Sequence, residues 1–321
     1  MPRIISDKEF IDLWSRIESP QQMSKATGIT IRAIYSRRER IESKLGIKLK
    51  SKNQQKNNGL KDAQFPSRLF DPRRYLNVED GHICVASDAH YWPGEPTTAH
   101  TAFVNVIKDI KPKLVVMNGD ILDGARISRH DPTGYEEMPP LKEEIEVVKK
   151  RLAEIKRASK EATTLRTMGN HDLRMGKYLA KYAPEIFGIE GFMLEDHLKD
   201  WPCSWSILVN DSILIKHRWH NGVHAAYNNI LKSHMGEAIV TGHLHRLMVT
   251  PYTDYHGHRK YGVDTGTLAD IKGPQFAYTE DNPVNWASGF AVLTVRDGKL
   301  LPPEICEVRG DKAWFRGNDY S

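Results

Sequence analysis

The sequence predicts an α/β protein with a small all-α domain at its N-terminus, and two observations support this. Across residues 66–321, apolar runs rich in β-branched residues alternate with amphipathic stretches, as strands alternate with helices in α/β folds. Residues 1–50 show only helical periodicity. We therefore expect a helical domain at residues 1–50, a polar linker at 51–65 and the α/β domain at 66–321.

Three helices are predicted in the N-terminal domain. The first has apolar residues at helical spacing, namely Phe10, Leu13, Trp14 and Ile17. Ser19-Pro20 ends this helix and begins a second one around Met23 and Ala26. Gly28 supplies the tight turn of a helix-turn-helix unit, and Thr30 can cap the third helix.

The third helix is predicted to have two different sides. Its apolar side carries Ile31, Ile34, Ile41 and Leu45. Its other side presents residues that can contact phosphates and base edges, namely Arg32, Tyr35, Arg37 and Arg40. The stretch from Met23 to Arg38 is similar to the helix-turn-helix of transcription factors and of phage or transposon proteins. DNA is therefore an expected partner, and a helical cap with a solvated basic face, which could serve dimerisation, is the alternative.

The linker and the elements after it follow from local composition. The polar, charged stretch from Lys50 to Gly59 has no apolar period, which indicates a flexible connection. Helical periodicity returns in three stretches, namely Thr98 to Ile110, Leu141 to Lys160 and Gly222 to His234. Two late apolar runs are predicted strands that complete a second sheet, namely Gly289 to Val295 and Ile305 to Val308.

Five short polar motifs follow predicted strands in the middle of the chain. In order they are Asp88-Ala89-His90, Gly119-Asp120-Ile121-Leu122-Asp123, Gly169-Asn170-His171-Asp172, His217-Arg218-Trp219-His220 and Gly242-His243-Leu244-His245. Short apolar runs that end in Gly, Asp or His indicate buried strands with polar side chains at their C-terminal ends. Ligands bind at that edge of open α/β sheets, so we expect the motifs to form one site.

The residue types in these motifs favour metal ions. Asp, Asn and His form a mixed oxygen and nitrogen donor set, and none of the motifs contains Cys. Such a set suits Mn, Fe or Zn better than Ca, Mg or Cu(I). There are too many donors for one ion, and two ions roughly 3.5–4 Å apart can share a carboxylate such as Asp120. We expect two divalent ions, with Mn as the first choice and Fe, Zn or Ni as alternatives.

The motif series resembles that of the calcineurin-like metallophosphoesterase superfamily, whose pattern is D-x-H, G-D-x-x-D, G-N-H-[DE], a lone H and G-H-x-H. The resemblance extends roughly from Ile83 to Leu268, and it implies a four-layer α/β/β/α sandwich that hydrolyses phosphate esters. It implies that the first metal ion is held by Asp88, His90 and His245, with Asp120 as the bridge. It implies that the second is held by Asn170, His217 and His243.

The resemblance also implies that His171 is the acid facing the leaving group and that Asp123 pairs with it. The residues agree, because neighbouring Asn170 and His171 do not readily aim at the same point and a carboxylate keeps a His protonated near two cations. From the residues alone, Asp172 is a second candidate partner. Arg218 stands where the family usually has Gly, so His220 and His224 are alternatives to His217.

Composition limits the other classes. Mean hydropathy is −0.53, and no apolar run approaches the ~18–20 residues of a membrane-spanning helix. The three cysteines lie far apart and the first residues lack a signal-peptide core, so we expect a cytoplasmic protein without disulfides. Residues 1–65 hold 14 basic and 7 acidic residues, whereas the remainder holds 32 and 34. The basic character thus belongs to the N-terminal segment.

Details of the motifs limit the classes of substrate that we expect. The protein-phosphatase branch has Arg after the second Asp of G-D-x-x-D and ends its third motif in Glu, whereas this chain has Gly124 and Asp172. A full G-H-x-H is typical of the branch with nucleases, cyclic-nucleotide phosphodiesterases and small phosphatases. We predict a phosphodiesterase or nuclease acting on DNA. The alternatives are a phosphatase acting on a nucleotide or phosphoprotein, and a DNA-binding regulator with a vestigial phosphoesterase domain. The oligomeric state is left open.

Overall fold

The computed structural model describes residues 5–17, 19–47, 49, 71–130, 134, 138–280 and 285–321, without the side chains of residues 21, 32 and 39. The chain divides into two compact units, Met1–Arg68 and Leu69–Ser321. The expected linker at residues 51–65 lies outside the described residues. In the described part of the chain, no helix combines the length and apolarity that a membrane crossing requires.

The described part of the N-terminal unit contains the helices α1 (Asp7–Ile17), α2 (Pro20–Thr27) and α3 (Ile31–Leu45). The predicted cap is confirmed at Thr30, whose hydroxyl accepts from Ala33 N at 3.3 Å. The predicted helix boundary at Ser19-Pro20 is also confirmed, and there the Ser19 hydroxyl accepts from Gln22 N at 3.5 Å. Gly28 ends α2 with φ at 72°, a left-handed conformation that costs glycine little.

A small core holds these three helices together. Its fully buried side chains are Ile5, Phe10, Trp14, Met23, Ile34, Ile41 and Leu49. Ile31, Ile34, Ile41 and Leu45 fall on one side of α3, as predicted. Ile34 and Ile41 are buried in this core, whereas Ile31 and Leu45, the first and last residues of the helix, are 41% and 51% exposed.

The described strands of the second unit form two sheets, with nine and six strands. The first sheet contains β2 (Gly81–Ala86), β3 (Leu114–Asn118), β4 (Thr163–Thr167), β5 (Cys203–Ser204), β11 (Gly289–Arg296), β12 (Lys299–Leu300), β13 (Glu304–Arg309), β14 (Lys312–Phe315) and β15 (Asn318–Asp319). The second contains β1 (Arg74–Leu76), β6 (Ile207–Val209), β7 (Ile213–Ile215), β8 (Ala238–Thr241), β9 (Leu247–Thr253) and β10 (Arg259–Thr265).

Helices cover the outer face of each sheet. They are α4 (Thr98–Ile110), α5 (Leu141–Ala158), α6 (Arg174–Tyr182), α7 (Leu194–His197) and α8 (Ala225–Ser233). Short 3₁₀ turns occupy Ala125–Ile127, Pro184–Ile186 and Pro274–Thr279. The three helices predicted for this unit are present. The bounds of α4 match the prediction, α5 ends two residues earlier, and α8 begins three residues later and ends one residue earlier than predicted.

Alternation along the strands builds the layers. In β2, Ile83 and Val85 pack into a core between the two sheets, whereas Cys84 and Ala86 pack against α4 and α5 on the other face. Ile230 of α8 packs on the outer face of the second sheet. The order is therefore helix, sheet, sheet, helix, which confirms the predicted four-layer α/β/β/α architecture.

The predicted place of the C-terminal strands was wrong. β11 does not complete the second sheet, because it pairs antiparallel with β2 of the first sheet, with Ala291 opposite Val85. Side chains of β11 enter both cores, with Leu293 between the sheets and Val292 on the helix side. A strand that is apolar on both faces needs a position covered on both sides, and the centre of the first sheet provides one.

Candidate dinuclear metal centre

The five motifs converge because they follow strands whose C-terminal ends meet. β2, β3 and β4 are parallel neighbours in one sheet, and β7 and β8 are parallel neighbours in the other. Backbone hydrogen bonds join the loops, since the amide of Asp88 donates to Gly119 O at 3.0 Å and that of His90 to Asp120 O at 3.0 Å. The amide of Gly242 donates to His217 O at 2.8 Å. The loops therefore form one connected surface.

One donor group consists of Asp88, His90 and His245, whose nearest ligand atoms lie within 4.8 Å of one another. His245 Nε2 is 3.3 Å from Asp88 Oδ1 and 3.3 Å from His90 Nε2. All three residues are buried. Within the described structure Asp88 Oδ1 has no hydrogen-bond partner, and a buried carboxylate oxygen is stable when a cation compensates it. This group fits a divalent metal ion.

A second donor group consists of Asp120, His217 and His243. His217 Nε2 lies 3.1 Å from Asp120 Oδ2 and 3.3 Å from Asn170 Oδ1. The amide oxygen of Asn170 therefore lies close enough to this group to be a ligand of the same metal ion. One carboxylate, two imidazoles and an amide oxygen form a mixed set that suits Mn, Fe or Zn.

The carboxylates of both groups have two separate tasks. Asp88 Oδ2 accepts from the backbone N of His243 at 2.8 Å, while its Oδ1 faces His245. Asp120 Oδ1 accepts from the backbone N of His171 at 2.7 Å, while its Oδ2 faces His217. One oxygen of each residue therefore connects two motif loops, and the other remains directed to the donor group.

Backbone strain is concentrated in these groups. Left-handed φ angles occur at Asp88 (52°), His90 (37°), Asp120 (50°), His243 (72°) and His245 (54°). Such angles are uncommon for residues with a side chain, and each costs of order 1–3 kcal/mol. They persist because the loop-to-loop hydrogen bonds hold the backbone in place. Strain of this kind clusters at functional sites.

Two motif glycines allow the loops to approach one another. A Cβ on Gly169 would overlap the backbone N and Oδ1 of Asp120. A Cβ on Gly242 would lie 2.5 Å from Ser87 Oγ and 2.6 Å from Asp88 Oδ2. The glycines are therefore required by the packing of one motif against another.

Electrostatics make the pocket a cation site. Burial opposes a charge on His217, but the carboxylates of Asp120 and Asp88 outweigh it and raise the pKa of this imidazole to about 10. Burial and the neighbouring His217 lower the pKa of His243 to about 4. The carboxylates thus stabilise positive charge at this point, and a metal ion can supply it in place of the imidazolium proton.

His217, rather than its two sequence neighbours, lies in the second donor group. It is buried, and its Nδ1 is 2.8 Å from Asn118 O, which directs Nε2 towards Asp120. The backbone N of His220 donates to Asn229 Oδ1, and His224 is exposed just before α8. Arg218 does not disturb this arrangement, because its side chain is exposed.

His171 and Asp123 form an adjoining pair. His171 Nδ1 lies 3.2 Å from Asp123 Oδ1, which is also 2.9 Å from His90 Nδ1. Burial favours a neutral Asp123, but its bonds to the two imidazoles hold the pKa of the carboxyl well below its usual range. Burial also favours a neutral His171, yet Asp123 and Asp120 together raise the pKa of His171.

Asp172, the other sequence candidate for pairing with His171, has a different environment. Its carboxylate accepts from the backbone N of Asp120, Ile121 and Gly169, each at 3.0 Å. It therefore joins the second and third motifs and does not face His171. This explains why the third motif ends in an acid without giving that acid a part in the chemistry.

Sequence reasoning missed several residues around the site. The guanidinium of Arg174 donates to Asp123 O at 2.9 Å and lies 3.1 Å from His171 Nε2. Phe276 packs 5.2 Å from the rings of both His90 and His245, and Trp286 packs 4.4 Å from His245. Among these residues, only Arg174 had a signal in the sequence, because it lies two residues after the third motif. Phe276 and Trp286 lie beyond the last motif, and no sequence pattern indicated them.

Glu144 of α5 was also missed. Its carboxylate accepts from Gly124 N at 2.6 Å and from Ala125 N at 3.3 Å, directly after Asp123. Burial raises the pKa of Glu144 to about 7, with a contribution from the charge of Asp123. The residue holds the backbone that follows the second motif.

The residues predicted to contact DNA do not all lie on one free surface. Tyr35 is 45% exposed, and the Arg40 side chain is 65% exposed although its Nη2 lies 3.2 Å from Asp7 Oδ1. The side chain of Arg32 lies outside the described residues. Arg37 departs from the prediction. Its guanidinium bonds Asp7 Oδ1 at 2.8 Å and Ile5 O at 2.6 Å and lies over the Phe10 ring, so it joins α3 to the start of α1.

The four-layer fold and the paired donor groups define a metal-dependent phosphoesterase. The sequence model of the calcineurin-like phosphoesterase family matches residues 81–247, so the chain belongs to this family. The matched stretch includes all five motifs, and the resemblance inferred from those motifs is confirmed.

Two curated phage proteins are similar to the chain. The Gene 54 protein of Mycobacterium phage D29 is 29% identical over 247 residues, which are 72% of this chain and 94% of the relative. The Gene 54 protein of Mycobacterium phage L5 matches with the same identity and coverage.

Solved structures show more distant likeness. A novel archaeal phosphodiesterase is 14% identical, with a TM-score of 0.39 and coverage of 71% of this chain and 99% of that one. The nuclease MPE of Pseudomonas putida is 13% identical, with a TM-score of 0.30 and coverage of 69% and 86%. At these scores no substrate follows from the likeness.

Proposed function

We propose that this hydrolase is a two-metal phosphodiesterase that cleaves DNA and uses Mn²⁺. The observation that carries the proposal is the pair of donor groups at one buried point, with the His171–Asp123 pair beside them. In this proposal Asp88, His90 and His245 would hold the first ion, and Asn170, His217 and His243 would hold the second. Asp120 would supply a carboxylate ligand to both. When bound, two such ions lower the pKa of a water and clamp an in-line displacement at phosphorus.

His171 then acts as the general acid. Its Nδ1 lies 3.0 Å from Asp123 O, a carbonyl that can only accept, so Nδ1 carries a proton. Asp123 and Asp120 raise the pKa of His171, whereas Arg174 Nη2 donates to its Nε2 at 3.1 Å. In this proposal Nε2 takes up the second proton once the phosphodiester has drawn the Arg174 guanidinium to itself, and passes that proton to the leaving-group oxygen. Arg174 adds a positive charge next to that nitrogen, which suits the anionic phosphodiester.

Support for DNA as the substrate comes from two parts of the chain. The full G-H-x-H motif and Gly124 after the second motif favour the branch that contains nucleases, cyclic-nucleotide phosphodiesterases and small phosphatases over the protein-phosphatase branch. The N-terminal unit is basic and presents Tyr35 and Arg40 on the exposed side of α3. We propose that this unit is a helix-turn-helix that brings DNA to the hydrolase.

Purified protein with Mn²⁺ tests the activity on bis-p-nitrophenyl phosphate, p-nitrophenyl phosphate and linear DNA. We expect hydrolysis of the diester and of DNA, a slower rate on the monoester, and loss of all activity after exhaustive chelation. Preference for the monoester without DNA cleavage would establish the phosphatase alternative. A metal-loaded protein that hydrolyses none of the three would be the DNA-binding regulator instead.

The part played by the N-terminal unit has its own test. Tyr35→Ala/Arg40→Ala should weaken DNA binding. It should also lower the slope of log affinity against log salt by about 0.9, because the Arg40 guanidinium would no longer neutralise a phosphate. The control is Lys8→Ala, which likewise removes one exposed positive charge, from α1. Equal effects of both variants would show non-specific attraction and contradict recognition through α3.

A further inference from the structure

Helix α6 begins beside the acid His171 and has an unusual exposed side. Its sequence is RMGKYLAKY, with three basic residues and no acidic one. At 3.6 residues per turn, the cationic and aromatic residues fall on one side of the helix. This side, the α6 face, consists of Arg174, Lys177, Tyr178, Lys181 and Tyr182.

The aromatic residues of the α6 face are exposed and close together. Tyr178 and Tyr182 are 44% and 61% exposed, and their ring centroids lie 4.8 Å apart. Lys177 and Lys181 are exposed and each directly precedes one of these tyrosines, with Lys181 Nζ 4.6 Å from the Tyr182 ring centroid. Exposed rings with neighbouring cations, and without carboxylates on the same helix, match the chemistry of a strand whose bases stack and whose phosphates carry charge.

The α6 face is continuous with the metal centre. Arg174, its first residue, lies 3.1 Å from His171 Nε2 and bonds to Asp123 O. The helix extends about 12 Å from Arg174 to Tyr182 at about 1.5 Å per residue. A strand that keeps the stacked spacing of duplex DNA, about 3.4 Å per phosphate, would place roughly three nucleotides along that length. A strand on this face leads directly to the proposed acid.

We propose that the α6 face binds single-stranded DNA on the leaving-group side of the scissile phosphodiester, with bases stacked on Tyr178 and Tyr182. A single strand is favoured over a duplex because only unpaired bases offer their faces to protein rings. The inference rests on the proposed function and specifies the form of DNA that the site accepts. A protein partner is the competing occupant, since exposed Phe187, Ile189 and Phe192 follow the helix.

The test compares the full-length Mn²⁺ protein with Tyr178→Ala/Tyr182→Ala and Lys177→Ala/Lys181→Ala. The substrates are an oligothymidylate and bis-p-nitrophenyl phosphate, and the readout is the ratio of kcat/KM on the oligonucleotide to that on the small diester. The Tyr variant should lower this ratio roughly fivefold or more for each ring, as expected for base–aromatic stacking. The Lys variant should reduce the salt slope of oligonucleotide affinity by about 1.4, at about 0.7 per neutralised phosphate on a single strand.

Matched controls separate the α6 face from general surface effects. Tyr75→Ala/Tyr255→Ala removes two exposed rings elsewhere in the same unit, and Lys149→Ala/Lys150→Ala removes two exposed charges from α5. Both controls should keep the wild-type ratio. Tyr178→Phe/Tyr182→Phe retains the rings and should restore the ratio, which distinguishes stacking from damage to the helix.

Each result decides a different claim. If the wild type cleaves the oligonucleotide and the ratio is unchanged in the α6 variants, the α6 face does not bind the DNA strand. The inference would then be wrong, and the proposed function would be unaffected. Cleavage of small diesters but of no DNA would overturn the proposed function, and this inference with it. A change of oligomeric size in the α6 variants, with an unchanged ratio, would show that the face contacts protein and would overturn the inference.

Discussion

The N-terminal unit and the catalytic unit are stabilised in different ways. The described part of the N-terminal unit has one small core, helix caps at Ser19 and Thr30, and left-handed angles at Gly28 and Gly46 only. The catalytic unit has large cores on both faces of its first sheet. It also holds left-handed, non-glycine residues and buried charges at its metal centre.

This difference shows what a large core permits. The described part of the N-terminal unit, with helices α1 to α3, buries little apolar surface, so the local preferences of its residues must agree with its fold. The catalytic unit has enough packing on either side of its first sheet to hold strained angles at residues such as Asp88 and His245. Buried carboxylates and strain are therefore tolerated where they arrange donor atoms for metal ions.

The largest effect is expected for Asp120→Asn in the catalytic unit. The change removes the proposed bridging charge and leaves two cations to repel each other, so at least one ion should be lost. Hydrolysis of bis-p-nitrophenyl phosphate should fall by more than the about 10⁴-fold upper range of a lost general acid. Metal content by mass spectrometry and the rate are the measurements, with exposed Asp311→Asn as control. A variant with two ions and the wild-type rate would refute the bridge.

The second largest effect is expected for His171→Asn, next to the metal-binding residues. His171→Asn should keep both ions while slowing turnover of unactivated diesters by about 10²–10⁴-fold, because it removes the proposed acid. The loss should be smaller for p-nitrophenyl esters, whose leaving group needs no proton. Steady-state rates on both substrate types check this. Equal losses would mean that His171 stabilises the phosphoryl group instead.

Trp14→Ala tests whether the two units are separately stable. Trp14 is fully buried in the small core, and replacing such a residue costs about 3–5 kcal/mol. We expect the N-terminal unit to unfold at lower urea while hydrolysis of small diesters is unchanged. The control is Trp314→Ala, which changes a 42% exposed ring in the catalytic unit. A single unfolding transition that shifts as a whole in Trp14→Ala would show instead that the units unfold together.

The smallest effect concerns pH and Glu144. Burial raises the pKa of Glu144 from 4.5 to about 7, so the folded state binds its proton more tightly than the unfolded state does. The contribution of this group to stability is therefore present below pH 4.5 and is lost as pH rises to 7. For metal-free protein, the free energy of unfolding of Glu144→Gln should therefore rise relative to that of the wild type, by up to roughly 3 kcal/mol, as the pH increases from 4.5 to 7.

Urea unfolding of both proteins at pH 4.5 and pH 8 measures that difference. The proximity of Asp123 and Arg174 is the same in both proteins, so their titration largely cancels in the comparison. A difference that stays constant with pH would show that folding does not raise the pKa of Glu144.

Much of the fold and site followed from local sequence. The helix boundary at Ser19-Pro20, the cap at Thr30 and the bounds of α4 depend on residues a few positions apart, so local reasoning found them. The donor residues were recognisable because each motif follows a strand, and parallel strands end at a common edge. The family and its class of chemistry were also determined at that level.

The partners of residues that lie far apart in the sequence became known only from the folded structure. It placed β11 beside β2, turned Arg37 back onto Asp7, and used Asp172 to join two loops. It also brought Phe276 and Trp286 against the histidines. These outcomes depend on contacts between residues tens to hundreds of positions apart. Periodicity predicts whether a segment is a helix or a strand, but it does not predict which distant segment that element pairs with. Burial and strand pairing in the folded protein determine those partners.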